Sequence, residues 1–172
     1  MSKRLSTKKL VITALLASLT CIATMIITIP SPLKGYINLG DCVVLSAGWL
    51  LTPWYGFFAA GLGSGLADVF SGYILYAPAT FAIKGLMALT AGLLFKLLCG
   101  LKKSSKSDNL VARVVSGSVA EIIMIAGYYA FESVLYGAMA SLANIPANAV
   151  QGVVGVILGC VLIRVLNKIK LR

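Results

Sequence analysis

Long runs without a charged side chain, separated by short polar or proline-containing breaks, organise this chain. About 20 apolar residues cross a bilayer as a helix, while Pro, Gly and clustered charges mark where helices stop. That pattern predicts six transmembrane helices, at about residues 9–29, 38–51, 54–71, 79–98, 109–136 and 146–167. The breaks are a loop at Pro30-Ser31-Pro32-Leu33-Lys34-Gly35, a tight turn at Thr52-Pro53-Trp54, the stretch from Gly72 to Pro78, and a lysine-rich segment over residues 100–108. Pro78 suits a first helical residue. The second helix is short for a span. The expected fold is an all-α integral membrane protein, a single membrane domain over residues 1–172.

Composition agrees. The 172 residues are 59% hydrophobic and 12% charged, with a mean hydropathy of +0.96. A soluble domain of this length has too little interior to hide so much apolar surface, so the lipid bilayer is the expected solvent. The first apolar run follows a basic start, as in a signal peptide, but its length suits a membrane span better than a signal core.

A formal charge of +10 would suggest nucleic acid in a soluble protein. Its distribution argues for topology instead. Of fifteen basic residues, all but Lys34 and Lys84 fall in three groups: Lys3, Arg4, Lys8 and Lys9; Lys96, Lys102, Lys103, Lys106 and Arg113; Arg164, Lys168, Lys170 and Arg172. Basic clusters flanking apolar spans stay in the cytoplasm. Six spans with both termini cytoplasmic place all three groups there, whereas an odd number would put one terminal group outside. No nucleic-acid partner is expected.

Several chemistries are excluded. There is no histidine, which removes the histidine-dependent triads and the HExxH zinc site. Cys21, Cys42, Cys99 and Cys160 are far apart in apolar runs, with neither zinc-ligand nor disulfide-framework spacing. Gly61-Leu62-Gly63-Ser64-Gly65 lacks the Lys-Ser/Thr of a phosphate loop; Gly61/Gly65 and Gly155/Gly159 are instead small-residue pairs that let helices approach closely. No catalytic residue, metal or cofactor is expected.

Ionisable groups inside a bilayer are expensive and need a reason. Under the six-span topology Asp41, Asp68, Lys84 and Glu132 belong to the outer third and Glu121 to mid-depth. Glu121, Ile125, Tyr128 and Glu132 share one helix face, and Asn144, Asn148 and Gln151 repeat that spacing. With Tyr36, Tyr73, Tyr76 and Tyr136 nearby, they outline a polar, aromatic-lined cavity opening outward. Acidic groups outnumber Lys84, which favours a neutral or cationic ligand. The plainer alternative is structural: Lys84 paired with Glu132, Glu121 or Asp68, Asp41 and Asp68 at helix ends or the interface, and the tyrosines as an aromatic belt.

Four segments carry a family resemblance: Gly35-Tyr36-Ile37-Asn38-Leu39-Gly40-Asp41; Ala60-Gly61-Leu62-Gly63-Ser64-Gly65-Leu66-Ala67-Asp68; Ser71-Gly72-Tyr73-Ile74-Leu75-Tyr76-Ala77-Pro78-Ala79-Thr80; and Ile83-Lys84-Gly85. In this order they resemble the substrate-specific (S) components of energy-coupling factor (ECF) transporters. The similarity is to the riboflavin-type branch, which includes pyridoxine and hydroxymethylpyrimidine carriers; it covers the first four helices better than the last two. The resemblance implies a six-helix subunit of a bacterial cell membrane that binds a water-soluble vitamin or precursor from outside. It also implies partners, namely a membrane coupling subunit (T component) and two cytoplasmic ATPases, and no ATP-binding motif occurs in this chain. The loop after the first helix would act as a lid. The family's Ala-x-x-x-Ala motif, which packs on the coupling subunit, corresponds here to Ala14 and Ser18.

Candidate ligand contacts are Asn38, Asp41, Tyr76, Lys84, Tyr128, Glu132, Asn148 and Gln151, with Glu121 a deeper partner. The expected ligand is of the pyridoxine or hydroxymethylpyrimidine class, with riboflavin the alternative. A stand-alone proton-coupled transporter using Glu121, and an intramembrane enzyme using Asp68 or Glu121, are the rival classes.

Overall fold

The computed structural model describes residues 7–31, 33, 35–101 and 109–170. Lys3, Arg4, Pro32, Lys34, Lys102, Lys103, Lys106 and Arg172 lie outside them. In chain order come α1 (Thr7–Ile26), β1 (Thr28–Pro30), β2 (Tyr36–Asn38), α2 (Asp41–Leu50), α3 (Pro53–Phe70), α4 (Ala77–Leu101), α5 (Leu110–Tyr136), the single-turn α6 (Ala138–Ser141), a 3-10 turn (Leu142–Asn144) and α7 (Ile145–Lys170).

The first break differs from expectation. The helix predicted to reach residue 29 stops at Ile26, and the second starts at Asp41 rather than 38. Ile27, Thr28 and Ile29 are β-branched and precede Pro30, a combination that favours extended backbone. Thr28–Pro30 pairs antiparallel with Tyr36–Asn38, setting Ile29 opposite Ile37, so the expected loop is the tip of a β-hairpin. The Asn38 side chain then accepts a hydrogen bond from the Gly40 amide (2.9 Å), turning the chain into α2.

Among the described residues, four stretches are long and apolar enough to cross a membrane: Thr7–Ile26, Ala77–Gly100, Leu110–Tyr136 and Ala138–Lys168. The other two expected spans are of a different kind. The ten residues of α2 rise only about 15 Å, half the thickness of a hydrocarbon core, and eight of the ten are buried. A helix sheathed by protein need not match the lipid. In α3, glycines, Ser64, Tyr55 and Asp68 dilute the hydropathy, and it is the small residues that are buried.

Those small residues set the packing. A Cβ on Gly61 would stand 2.7 Å from the Phe81 carbonyl oxygen, so α3 and α4 approach backbone to backbone. Gly159 likewise brings α7 against the Cys42 carbonyl on α2. Leu45, Trp49, Met87, Met124 and Ile163 fill the core between α2, α4, α5 and α7. The outer face carries the large aliphatic residues: Leu15 is 64% and Ile26 71% exposed, while the buried residues of α1 are Thr20 and Thr24. All four cysteines are free thiols.

Helix direction gathers the connections at two ends. The β-hairpin, residues 71–76 and α6 share one end, where Gly72 (φ +84°) and Gly137 (φ +88°) turn the chain out of α3 and α5 in a conformation natural to glycine. Lys8, Lys9, Lys96, Arg113, Arg164 and Lys168 lie towards the opposite helix ends.

Candidate functional site

Beneath the β-hairpin lies a polar cavity. Its walls come from α1 (Thr24), the hairpin (Ser31, Gly35, Tyr36, Asn38), α3 (Ser64, Asp68), residues 71–76 (Tyr73, Tyr76), α4 (Thr80, Lys84), α5 (Tyr128, Glu132), and the 3-10 turn with α7 (Asn144, Asn148, Gln151). Its volume is about 30 Å³, room for a water or two.

The floor is an ordered polar relay. The Lys84 ammonium, 2% exposed, bonds and ion-pairs with Asp41 Oδ1, which is 1% exposed. Gln151 Nε2 donates to the other oxygen, Asp41 Oδ2 (2.6 Å), and Gln151 Oε1 accepts from the backbone amide of Asn38 (2.9 Å). Four elements are thereby tied through one carboxylate. Lys84 Nζ also lies 5.5 Å from the centroid of the Tyr128 ring, a cation–π distance. Tyr128 Oη donates to Thr80 Oγ1 (3.1 Å), and Thr80 in turn stands near Asp68.

The roof is fastened by tyrosines. Tyr36 Oη donates to Asp68 Oδ1 (2.6 Å), and its ring lies 4.7 Å from that of Tyr73. Burial first, and then the Asp68 carboxylate, hold the Tyr36 phenol well above its ordinary pKa, so it is a fixed donor. Tyr76 Oη donates to the Leu33 carbonyl (2.9 Å) and, at the long limit of 3.5 Å, to Glu132 Oε1. That same Glu132 oxygen accepts from Asn144 Nδ2 (2.7 Å).

Seven of the candidate contacts, Asn38, Tyr76, Lys84, Tyr128, Glu132, Asn148 and Gln151, line this cavity. Asp41 stands behind the wall as the partner of Lys84, in place of the Glu132, Glu121 or Asp68 pairings considered from sequence. It also lies deeper than expected, level with Glu121, because α2 begins well inside the protein. A Cβ on Gly155 would meet Asp41 Cβ and Glu121 Oε1, each at 2.8 Å. Glu121 is 4% exposed, neither of its oxygens has a hydrogen-bond partner among the described residues, and it sits about 22 Å along α5 from the hairpin end. It is not part of the cavity wall described above.

Tyr36, Tyr73, Asp68 and Asn144, expected at the cavity though not among the chosen contacts, line it, as do Thr24, Ser31, Ser64 and Thr80, which the sequence pattern does not single out as contacts. Thr20 and Thr24 did carry a signal: hydroxyls four apart on an otherwise aliphatic helix mark the face turned away from lipid. Ala14 and Ser18 are exposed on α1, and the Ser18 hydroxyl donates back to the Ala14 carbonyl (3.0 Å), leaving a low, closed patch.

Comparison with known proteins places this architecture. The family model described as "ECF-type riboflavin transporter, S component" matches residues 4–168. The chain belongs to that S-component family. This S component is therefore a multi-pass membrane protein and a transporter subunit. It is 36% identical over 140 residues to a Pyrococcus woesei protein named "Uncharacterized protein in gap 3'region", covering 80% of this chain and 87% of that one. A solved structure titled "Structure and mechanism of the S component of a bacterial ECF transporter" superposes with a TM-score of 0.72. At 24% identity it covers 96% of this chain and 98% of its own, and it establishes the shared fold.

Proposed function

We propose that this S component captures a small heterocyclic vitamin or vitamin precursor, of the pyridoxine or hydroxymethylpyrimidine class, in the cavity beneath the hairpin. The observation that carries this reading is the convergence of polar and aromatic side chains from five helices and the hairpin on one buried chamber at a single end of an otherwise aliphatic bundle. Aromatic faces of Tyr36, Tyr73 and Tyr128 suit a flat ring, and the amides and carboxylates suit its amino and hydroxyl groups. The basic residues lie towards the far end, which supports an extracellular chamber, cytoplasmic termini and a six-segment topology in the cell membrane.

A ring-sized molecule exceeds the present volume, so capture requires the roof to lift. The phenol bonds of Tyr36 and Tyr76 are what it must release. Transport then needs the T component and two ATPases, and the small exposed patch at Ala14 and Ser18 is the docking point for the coupling subunit. Riboflavin is the second reading, the vitamin that the matching family is named for.

The deciding experiment uses the purified protein in detergent, titrated with pyridoxine, hydroxymethylpyrimidine, riboflavin and thiamine by calorimetry. Saturable binding of one of them without ATP or partners is expected. If none binds and mass spectrometry finds no co-purified small molecule, the reading fails; pH-dependent, ATP-independent transport by this chain alone would replace it with the proton-coupled class.

A further inference from the structure

The hydrogen-bond account of the cavity wall does not close, and the way it fails specifies the ligand. Among the described residues, six buried side-chain atoms in the wall have no partner: Thr24 Oγ1, Ser31 Oγ, Ser64 Oγ, Asp68 Oδ2, Glu132 Oε2 and Asn144 Oδ1. The three hydroxyls adapt to either role. The other three are acceptors. Asn144 cannot reverse its amide to offer a donor, because its Nδ2 is committed to Glu132 Oε1. Asp68, Glu132 and Asn144 are 3%, 2% and 2% exposed, so bulk water does not satisfy them, and a buried acceptor left alone is destabilising, more so when charged.

Charge points the same way. Among the described residues Lys84 is the basic residue of the wall, and its ammonium is engaged by Asp41. Asp68 receives the Tyr36 phenol with the Thr80 hydroxyl beside it, and Glu132 a phenol and an amide, all neutral donors. They face the chamber from α3 and α5 as two acidic groups, and among the described residues no cation is hydrogen-bonded to either.

We infer that the ligand of this cavity is an organic cation, a ring bearing a protonated or quaternary nitrogen together with further N–H or O–H donors directed at Asp68, Glu132 and Asn144. The inference rests on the capture reading above and narrows its substrate class. It also sets a rejection rule: phosphorylated or carboxylated forms of the same ring meet two carboxylates and, among the described residues, no cation that is not already ion-paired, and like charges so placed oppose binding.

A charge series on one ring tests this with the wild-type protein. Pyridoxamine carries an ammonium, pyridoxine a hydroxyl at the same position, and pyridoxine 5'-phosphate an anion. Calorimetry should rank them in that order, with about tenfold in Kd or more at each step. In Asp68→Asn and Glu132→Gln, which keep shape and remove charge, the steps should shrink severalfold. Equal or reversed ranking in the wild type overturns the inference, as does an unchanged ranking in both variants. The wild-type series decides alone if either variant fails to fold. Tight binding of riboflavin, undiminished by both substitutions, would overturn the cation while leaving the capture reading intact. If no member of either panel binds, both fall together.

Discussion

Lys84→Met is the substitution whose consequence the geometry fixes most closely. The ammonium it removes is 2% exposed and ion-paired with an Asp41 that is 1% exposed. Methionine fills the same volume without charge, so packing is nearly conserved and the loss is electrostatic. Asp41 Oδ2 keeps its bond from Gln151, while Oδ1 becomes a buried anionic oxygen without a partner. Breaking one side of a buried pair costs about 3–5 kcal/mol. For a chain of this length each kcal/mol moves the midpoint by about 2–4 °C, so a fall of roughly 6–20 °C is expected. Tryptophan fluorescence during heating in detergent reads it directly, since Trp49 is buried and donates to Ser116 in the core (3.0 Å). Adding Asp41→Asn to Lys84→Met removes the stranded charge and should recover at least half of the loss, because the two changes act on one interaction. If Lys84→Met melts within about 2 °C of wild type, the pair carries no such energy. Loss of ligand binding at unchanged stability would then make Lys84 a ligand contact rather than a structural anchor.

Three further outcomes follow from named contacts. Tyr36→Phe deletes a phenol-to-carboxylate bond of the roof, worth about 1.5–3 kcal/mol; ligand dissociation measured by stopped-flow should quicken by at least tenfold, and an unchanged rate would remove Tyr36 from the closure. Gly61→Ala places a Cβ 2.7 Å from the Phe81 carbonyl, between two backbones that cannot yield separately; the midpoint should drop by several degrees, and wild-type stability would show that α3 and α4 can part without penalty. Ser18→Trp enlarges an exposed patch of α1, so folding and ligand binding should persist while co-purification with the coupling subunit is lost; retained co-purification would move the docking point elsewhere.

The membrane class and the helix order could be read from uncharged length alone, because lipid imposes a single rule on any segment it touches. What the rule could not give was α2. A ten-residue helix enclosed by its neighbours answers to protein packing, and nothing in Asp41-Cys42-Val43-Val44 says that the element starts at mid-depth. The same blindness misplaced Asp41, so the partner of Lys84 was sought at Glu132, Glu121 or Asp68 instead. The hairpin was hidden for a different reason: three-residue strands are shorter than any periodicity can reveal, and only the β-branched run before Pro30 hinted at extended chain. The polar cavity was legible as a cluster because charges inside spans are rare. Which atoms turn towards it depends on helix rotation, and that was written only in weak signals such as Thr20 and Thr24.

The hairpin is held in two unlike ways, and this separates the end that moves from the end that does not. At its base, the Asn38 amide is bonded to Gln151, which is itself locked to the Asp41–Lys84 pair, and a Cβ on the neighbouring Gly40 would collide with Thr24. Moving the base means disturbing a buried ion pair. At its tip, the Leu33 carbonyl and Tyr36 are held by single phenol bonds to Tyr76 and Asp68, each replaceable by water as the chamber opens. Releasing two such bonds costs only a few kcal/mol, within reach of thermal opening on the millisecond scale. The chamber should therefore open by the tip swinging about an anchored base. Hydrogen exchange read by mass spectrometry distinguishes the two ends: the Ser31 and Gly35 amides should exchange well before that of Asn38, and ligand should slow the first pair by more than the second. Simultaneous exchange of tip and base would mean that the hairpin departs as a whole and that the relay through Gln151 does not hold it.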